Sequence, residues 1–203
     1  MYNEIFVPYP TIHTDRLILR MVKRQDAKDL FELCKRPETS KYSLWHPHKT
    51  IDDTRALINY QIARYRKREC TFFVVEHKES GRVIGTCSYV SIEDNFKIVE
   101  IGYSILSDLW GQGYATEVAD GLTGFAFDRI GAQRVYARVL PENGASSAVL
   151  QKIGFQYEGT LKKGYYFEGK VSDVEVYGIT DDAFYEMNKE TDNGIKENCE
   201  FSG

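Results

Sequence analysis

Four cysteines and four histidines are all this chain offers a soft or borderline metal ion, and neither type is gathered in ligand spacing. Cys34, Cys70, Cys87 and Cys199 form no Cys-x-x-Cys pair, and of His13, His46, His48 and His77 only the two around Pro47 are neighbours. A zinc site or disulfide framework is therefore not expected, and the cysteines read as free thiols of a reducing compartment. No stretch approaches the apolar length of a membrane span, and Met1 to Ile5 lack the basic start and apolar run of a secretory leader, so the expected location is cytoplasmic, with no membrane partner. A basic excess is missing too: 26 Lys and Arg stand against 30 Asp and Glu, a net charge of −4, which leaves no electrostatic footprint for nucleic acid and is compatible with a cationic partner. Repeats and low-complexity tracts are absent. What remains is ordinary for one globular domain: 203 residues, 42% hydrophobic and 28% charged. The domain is placed at 1–187, with a polar tail at 188–203 expected to fray.

The stretch around which the chain is organised is Trp110-Gly111-Gln112-Gly113-Tyr114-Ala115-Thr116. Before it, Ile98 to Leu106 is rich in β-branched and aromatic residues, a strand signal. After it, Ala115, Val118, Ala119, Leu122, Phe125, Ala126 and Ile130 recur at three- and four-residue spacing, which predicts an amphipathic helix stopped by Gly131. Two glycines thus sit where a strand hands over to a helix N-terminus. Backbone N–H groups without intrahelical partners and the positive end of the dipole favour an anion there. The nucleoside triphosphate loop needs a Gly-Lys-Ser/Thr ending that does not occur, and the dinucleotide fingerprint fails because Thr116 takes the place of its last glycine.

Elsewhere, residues 1–13 read as an extended lead-in and Arg16 to Met21 as a first strand. Asp26 opens a helix through Cys34 that Pro37 ends; Thr50 and Asp53 form a capping box for a second helix through Tyr65. Thr71–Glu76 and Val83–Val90 read as a hairpin. Arg134–Leu140 is a strand parallel to the one ending at Leu106, since a helix intervenes. A short helix follows, closed by Gly154, and two last strands, 155–159 and 174–179, flank the aromatic segment Tyr165-Tyr166-Phe167. The order is β-α-α-β-β-β-α-β-α-β-β.

Trp110 to Ala115 resembles motif A of the GCN5-related N-acetyltransferases (GNAT), Gln/Arg-x-x-Gly-x-Gly/Ala, with Trp110 in place of Gln or Arg. That departure, and the opening Thr14-Asp15-Arg16-Leu17-Ile18-Leu19-Arg20, resemble the RimJ/RimL-like ribosomal-protein N-acetyltransferase branch. Asn143-x-x-Ser146 followed by Lys152-Ile153-Gly154-Phe155 is similar to a second family motif, and the strand Asp173 to Tyr177 to a third. The resemblance covers residues 11–180. It implies an α/β (α+β) fold, a mixed twisted sheet of about seven strands with a splayed central parallel pair and about four flanking helices.

It also implies the chemistry, an acyltransferase acting on acetyl-CoA and an amine acceptor. Tyr103, Ser104, Ile105 and Leu106 would hydrogen-bond the pantetheine arm, with the N–H of Ile105 or Leu106 polarising the thioester carbonyl; Gly111, Gln112, Gly113, Tyr114, Ala115 and Thr116 would wrap the pyrophosphate; Asn143 and Ser146 would hold the cofactor from the other side. Glu100 is the candidate base, the other reading being a carboxylate turned to solvent or to a surface Lys. Relatives often place an acid, Tyr, four residues before the Gly of the Gly-Phe pair, where this chain has Leu150, so Ser146, Tyr165 or Tyr166 would have to substitute. Trp45, in the Tyr42–His48 loop, and Tyr166 are candidate acceptor walls or core aromatics. Acceptors left open are a protein N-terminus and small amines such as polyamines, amino acids or aminoglycosides. A non-catalytic acyl-CoA sensor is the alternative class, and a monomer or homodimer the expected assembly.

Overall fold

Strand-forming residues occupy most of the chain between 72 and 105, and in the computed structural model they build the middle of one eight-stranded sheet. The structure describes residues 5–42, 45–69, 71–93, 95, 97–167 and 169–197. In chain order the elements are β1 (Ile12–His13), β2 (Leu17–Arg20), α1 (Ala27–Cys34), α2 (Pro37–Ser40), α3 (Ile51–Arg66), β3 (Phe72–His77), β4 (Val83–Glu93), β5 (Ile98–Ile105), α4 (Tyr114–Phe125), β6 (Arg134–Val139), α5 (Gly144–Lys152), β7 (Gln156–Phe167), β8 (Lys170–Thr180) and α6 (Asp181–Glu197). Strand order is β1-β2-β3-β4-β5-β6-β8-β7. Every pairing is antiparallel except β5 with β6, the pair that α4 connects. The expected mixed sheet with a central parallel pair is present, β1 supplying the strand beyond seven.

Alternation along the strands divides the side chains between two layers. Val99, Ile101 and Ile105 of β5 and Val135, Ala137 and Val139 of β6 meet Val118, Ala119 and Leu122 of α4 and Leu150 of α5 in the larger core. On the opposite face Val74 and Val83 pack under Leu30, Leu33 and Ile58 of α1 and α3. The capping box at α3 forms as its sequence suggests, Asp53 Oδ2 accepting from the Thr50 N–H at 2.8 Å. After Phe125 the α4 helix widens into a π turn, Ala126–Ile130, and ends on Gly131 at φ +72°. The lead-in is pinned by aromatics: Phe6 is buried, and Tyr9 Oη donates to the Phe72 carbonyl at 2.8 Å.

Three features differ from the sequence reading. Pro37 ends α1 but also starts α2, where its fixed φ and missing N–H suit the first turn. The aromatic segment 165–167 is not a linker between strands: it is the end of β7, carried there through irregular register at Tyr157/Gly159 and Leu161/Tyr165. Within 188–203, read as a polar tail, α6 runs on to Glu197, and 198–203 lie outside the described residues. No helix among the described residues is long and apolar enough to cross a membrane.

Candidate functional site

The parallel pair comes apart in its middle. β5 and β6 are in register at Ile98↔Arg134, Val99↔Val135 and Glu100↔Tyr136, and nowhere beyond, although β5 continues to Ile105 and β6 to Val139. On its other edge β5 stays paired with β4 as far as Gly85↔Ile105. The Leu106 N–H donates to the Ile84 carbonyl at 2.8 Å, so by antiparallel alternation the N–H groups of Tyr103 and Ile105 face the gap. The Ile105 carbonyl also faces it, and accepts from Trp110 Nε1 at 2.7 Å. An opened strand edge of this kind offers backbone donors to an extended ligand lying between the strands.

Beyond the gap the chain turns through a 3₁₀ turn at Ser107–Leu109 and the two glycines into α4. Gly111 and Gly113 have φ of +76° and +82°; a Cβ at Gly111 would meet nothing within 4 Å, and one at Gly113 only Arg16 Nη2 at 3.4 Å. No side chain caps the helix, so its first N–H groups face the open space in front of the glycines. This is the cradle a pyrophosphate requires, and the residues present fit it.

Two arginines hold the cradle. Arg16 donates from Nε to Glu117 Oε2 at 2.7 Å and from Nη1 to the Gln112 carbonyl at 3.0 Å, and its backbone N–H reaches Glu117 Oε1 at 2.6 Å. Thr14 Oγ1 adds a bond to the same carboxylate at 2.6 Å. Desolvation pushes Glu117 up, but the bonds from Thr14 and Arg16 outweigh it and hold the carboxyl below its ordinary range. The Arg16 guanidinium lies 4.3 Å over the Tyr114 ring, whose hydroxyl is 3.3 Å from His77 Nε2. From the other side Arg36 grips Asp108 with both Nη atoms and Ser107 Oγ with one, which keeps the Asp108 carboxyl low.

The gap has a different chemistry on each face. Toward α4 and α5, Tyr103 Oη lies 3.1 Å from Ser146 Oγ, and burial pushes the Tyr103 hydroxyl up to about 12 against the opposing effect of that bond. Asn143 Oδ1 accepts from the Ser146 N–H at 3.3 Å, capping α5. Toward α1 and α3 stands Glu100, 5% exposed. Arg138 Nε donates to its Oε1 at 2.8 Å, and Tyr136 Oη and Ser91 Oγ donate to its Oε2 at 3.2 and 3.5 Å. Ahead of α3, the His46 ring stands 5.1 Å from that of Phe167 at the tip of β7.

The sequence-expected residues thus converge with exceptions that strand geometry explains. Tyr103 and Ile105 edge the gap, Gly111 to Thr116 lie at the head of α4, Tyr103 touches Ser146, whose N–H is capped by Asn143, and Ser104 sits on the Glu100 face of β5. Leu106, paired with Ile105 as a carbonyl-polarising donor, spends its N–H on Ile84. Glu100 turns neither to solvent nor to a lysine. Trp45 packs against the α1–α3 core, 6.0 Å from His48. Tyr166 is 69% exposed, on the opposite face of β7 from Phe167, because neighbouring strand residues alternate. Leu150 is fully buried in the core. Sequence reading missed Arg138 and Tyr136 beside Glu100, and the tether from Arg16 to Glu117; Arg16 carried a signal, as part of Thr14–Arg20, but not its partner.

Comparison with known proteins agrees with this geometry. A family described as an acetyltransferase (GNAT) domain matches residues 16–156. The uncharacterized N-acetyltransferase YoaA of Bacillus subtilis is 32% identical over 171 residues, 84% of this chain and 97% of that protein. The ribosomal-protein-serine acetyltransferase of Escherichia coli is 25% identical over 81% of this chain and 92% of its own length. Among solved structures, Mycobacterium smegmatis RimJ in complex with CoA-disulfide superposes with a TM-score of 0.73 at 23% identity, covering 85% of this chain and 88% of that one.

Proposed function

The chain belongs to the GNAT acetyltransferase family, whose members use acetyl-CoA, and from that premise we propose that it transfers the acetyl group to a primary amine by direct attack in a ternary complex. The observation that carries this reading is the parting of β5 and β6 after Glu100, beside an uncapped helix N-terminus with two open glycines. Gly111 to Thr116 would hold the pyrophosphate, the edge of β5 from Tyr103 to Ile105 the pantetheine, and Asn143 its far side. Bound there, acetyl-CoA supplies the acetyl group as a thioester and leaves as the thiol.

The protein's own groups divide the remaining work. The Ile105 N–H, unspent on β4, is the donor positioned to polarise a carbonyl in the gap. Glu100, on the α1–α3 face, takes a proton from the incoming ammonium, directly or through a water. Ser146 Oγ, in contact with Tyr103 Oη on the opposite face, gives a proton to the departing sulfur; Leu150, enclosed in the core, has none to give. The amine enters under the His46–Phe167 roof. A protein N-terminus is the acceptor suggested by the E. coli relative's name. A small amine is the second reading, favoured by the Glu100–Arg138 pair.

Titration calorimetry with acetyl-CoA, followed by thiol release against peptides and small amines, tests the proposal. Binding with amine-dependent release is the expected result. Binding without release from any amine would support the sensor class instead, and no binding would reject the site.

A further inference from the structure

We propose that the acceptor is an amine carrying its own carboxylate close by, a free α-amino acid, and that Arg138 is the residue that reads that carboxylate. The inference rests on the acetyltransferase reading above and narrows its acceptor.

Arg138 differs from Arg36, Arg134 and Arg20, and unlike Arg16, whose Nη1 is held by the Gln112 carbonyl, it leaves both Nη atoms unspent among the described residues. Arg36 turns both Nη atoms onto Asp108; Arg134 gives Nε and Nη2 to Glu158; Arg20 spends Nε on Glu76 and both Nη atoms on Asp26. Each of these uses its planar edge on a protein carboxylate, as a structural ion pair does. Arg138 donates to Glu100 through Nε alone, and among the described residues neither of its Nη atoms has a hydrogen-bond partner. Its side chain is 44% exposed while that of Glu100 is 7% exposed, so the acid is enclosed and the fork of the base is presented outward. Arg138 lies two residues past Tyr136, the last residue of β6 paired with β5, and on the same face as Glu100. The unspent fork therefore stands where the strands part, on the face the amine approaches.

Distance then selects the ligand. An amine that gives its proton to Glu100 comes within hydrogen-bond reach of a carboxylate whose Oε1 is itself 2.8 Å from Arg138 Nε. When the amine meets Glu100 directly, an anion held by the Arg138 fork lies only a few ångströms from it. An α-amino acid, with ammonium and carboxylate on one carbon, meets the pair with opposite charges in matching order. A protein N-terminus brings an uncharged amide to the guanidinium, and a polyamine brings a second cation toward it, a like-charge contact that discriminates against it.

The test compares free amino acids with their amides, which keep the amine and lose the charge, together with a tripeptide amide and spermidine, by thiol release at saturating acetyl-CoA. The wild-type protein is expected to favour the acids over their amides by about tenfold or more in kcat/KM, the range of a hydrogen bond to a charged group. Arg138→Gln is expected to erase that preference by raising KM for the acids, and Arg138→Lys to restore part of it. Equal or better use of the amides, the tripeptide or spermidine by the wild type overturns the inference and leaves the acetyltransferase reading standing. So does an Arg138→Gln protein whose kcat falls alike for acids and amides with the preference intact, the mark of a residue that only steadies Glu100. A protein that binds no acetyl-CoA, or releases thiol with no amine at all, overturns the parent reading and this one with it.

Discussion

Tyr103 and Ser146 join hydroxyls at 3.1 Å across the opening between β5 and α5, on the face of the gap opposite Glu100. Under the proposed reaction this arrangement would put a proton donor on one side of the reacting centre and a carboxylate on the other, as acid–base catalysis of amine acetylation asks. If the pair delivers the proton to sulfur, Ser146→Ala should lower kcat by about a hundredfold, within the usual range for a general acid, with little change in KM for acetyl-CoA. Tyr103→Phe should have a smaller effect of the same kind. A rise in KM for acetyl-CoA at constant kcat would instead make the pair a cofactor contact. Because Tyr103 is pushed up to about 12, it keeps its proton through the working range, and the alkaline limb of a pH profile should survive Tyr103→Phe.

Glu100→Gln keeps the hydrogen-bonding shape of the side chain and removes its charge. Loss of a general base predicts a fall in kcat of about a hundredfold or more, measured by thiol release at saturating acceptor. The deficit should narrow as pH rises and more of the acceptor is already neutral. Unchanged turnover across pH would remove Glu100 from the base role.

What the sequence disclosed was local. The period of Val118, Ala119, Leu122 and Ala126 marks a helix, the glycines mark its entry, and a helix between two strands favours a parallel pair, so the centre of the fold was readable. The pairings that finish the site were not. Glu100 and Arg138 are 38 residues apart and meet only because β5 and β6 align at Glu100↔Tyr136, a register no single strand encodes. The same limit leaves the facing of 165–167 unread from sequence: three aromatics in a row give no alternation, and it is the contact with His46 that shows Phe167 turned inward and Tyr166 outward.

Cysteine chemistry offers a check on the core that is independent of activity. Burial pushes the Cys34 thiol up to about 12 and Cys87 higher still. At pH 8 a thiol of that kind holds about one ten-thousandth of its population as thiolate, the reactive form. Iodoacetamide at pH 8 should therefore leave both unlabelled in the native protein and label both in denaturant, as read by peptide mass. Since both folded values lie above the unfolded thiol value, the stability these groups contribute is complete below about pH 9 and is lost as pH climbs toward 12.

The tether from Arg16 to Glu117 gives the most discriminating prediction about the cofactor loop. Arg16 touches the loop at the Gln112 carbonyl, the Glu117 carboxylate and the Tyr114 ring, so it fixes the glycines without being one of them. Arg16→Ala should weaken acetyl-CoA binding by about tenfold, the worth of one charge-assisted bond, while melting shifts by only a few degrees because the side chain is half exposed. Glu117→Gln should act in the same direction, and the two changes together should cost less than their sum, since they break one connection. Gly113→Ala is a separate route to the same loss: at φ +82° an added Cβ costs about 1–2 kcal/mol of backbone strain at the residue that opens α4. Calorimetry on the three variants with acetyl-CoA checks this, and an Arg16→Ala protein that binds acetyl-CoA as tightly as the wild type would show that the glycine loop holds its shape unaided.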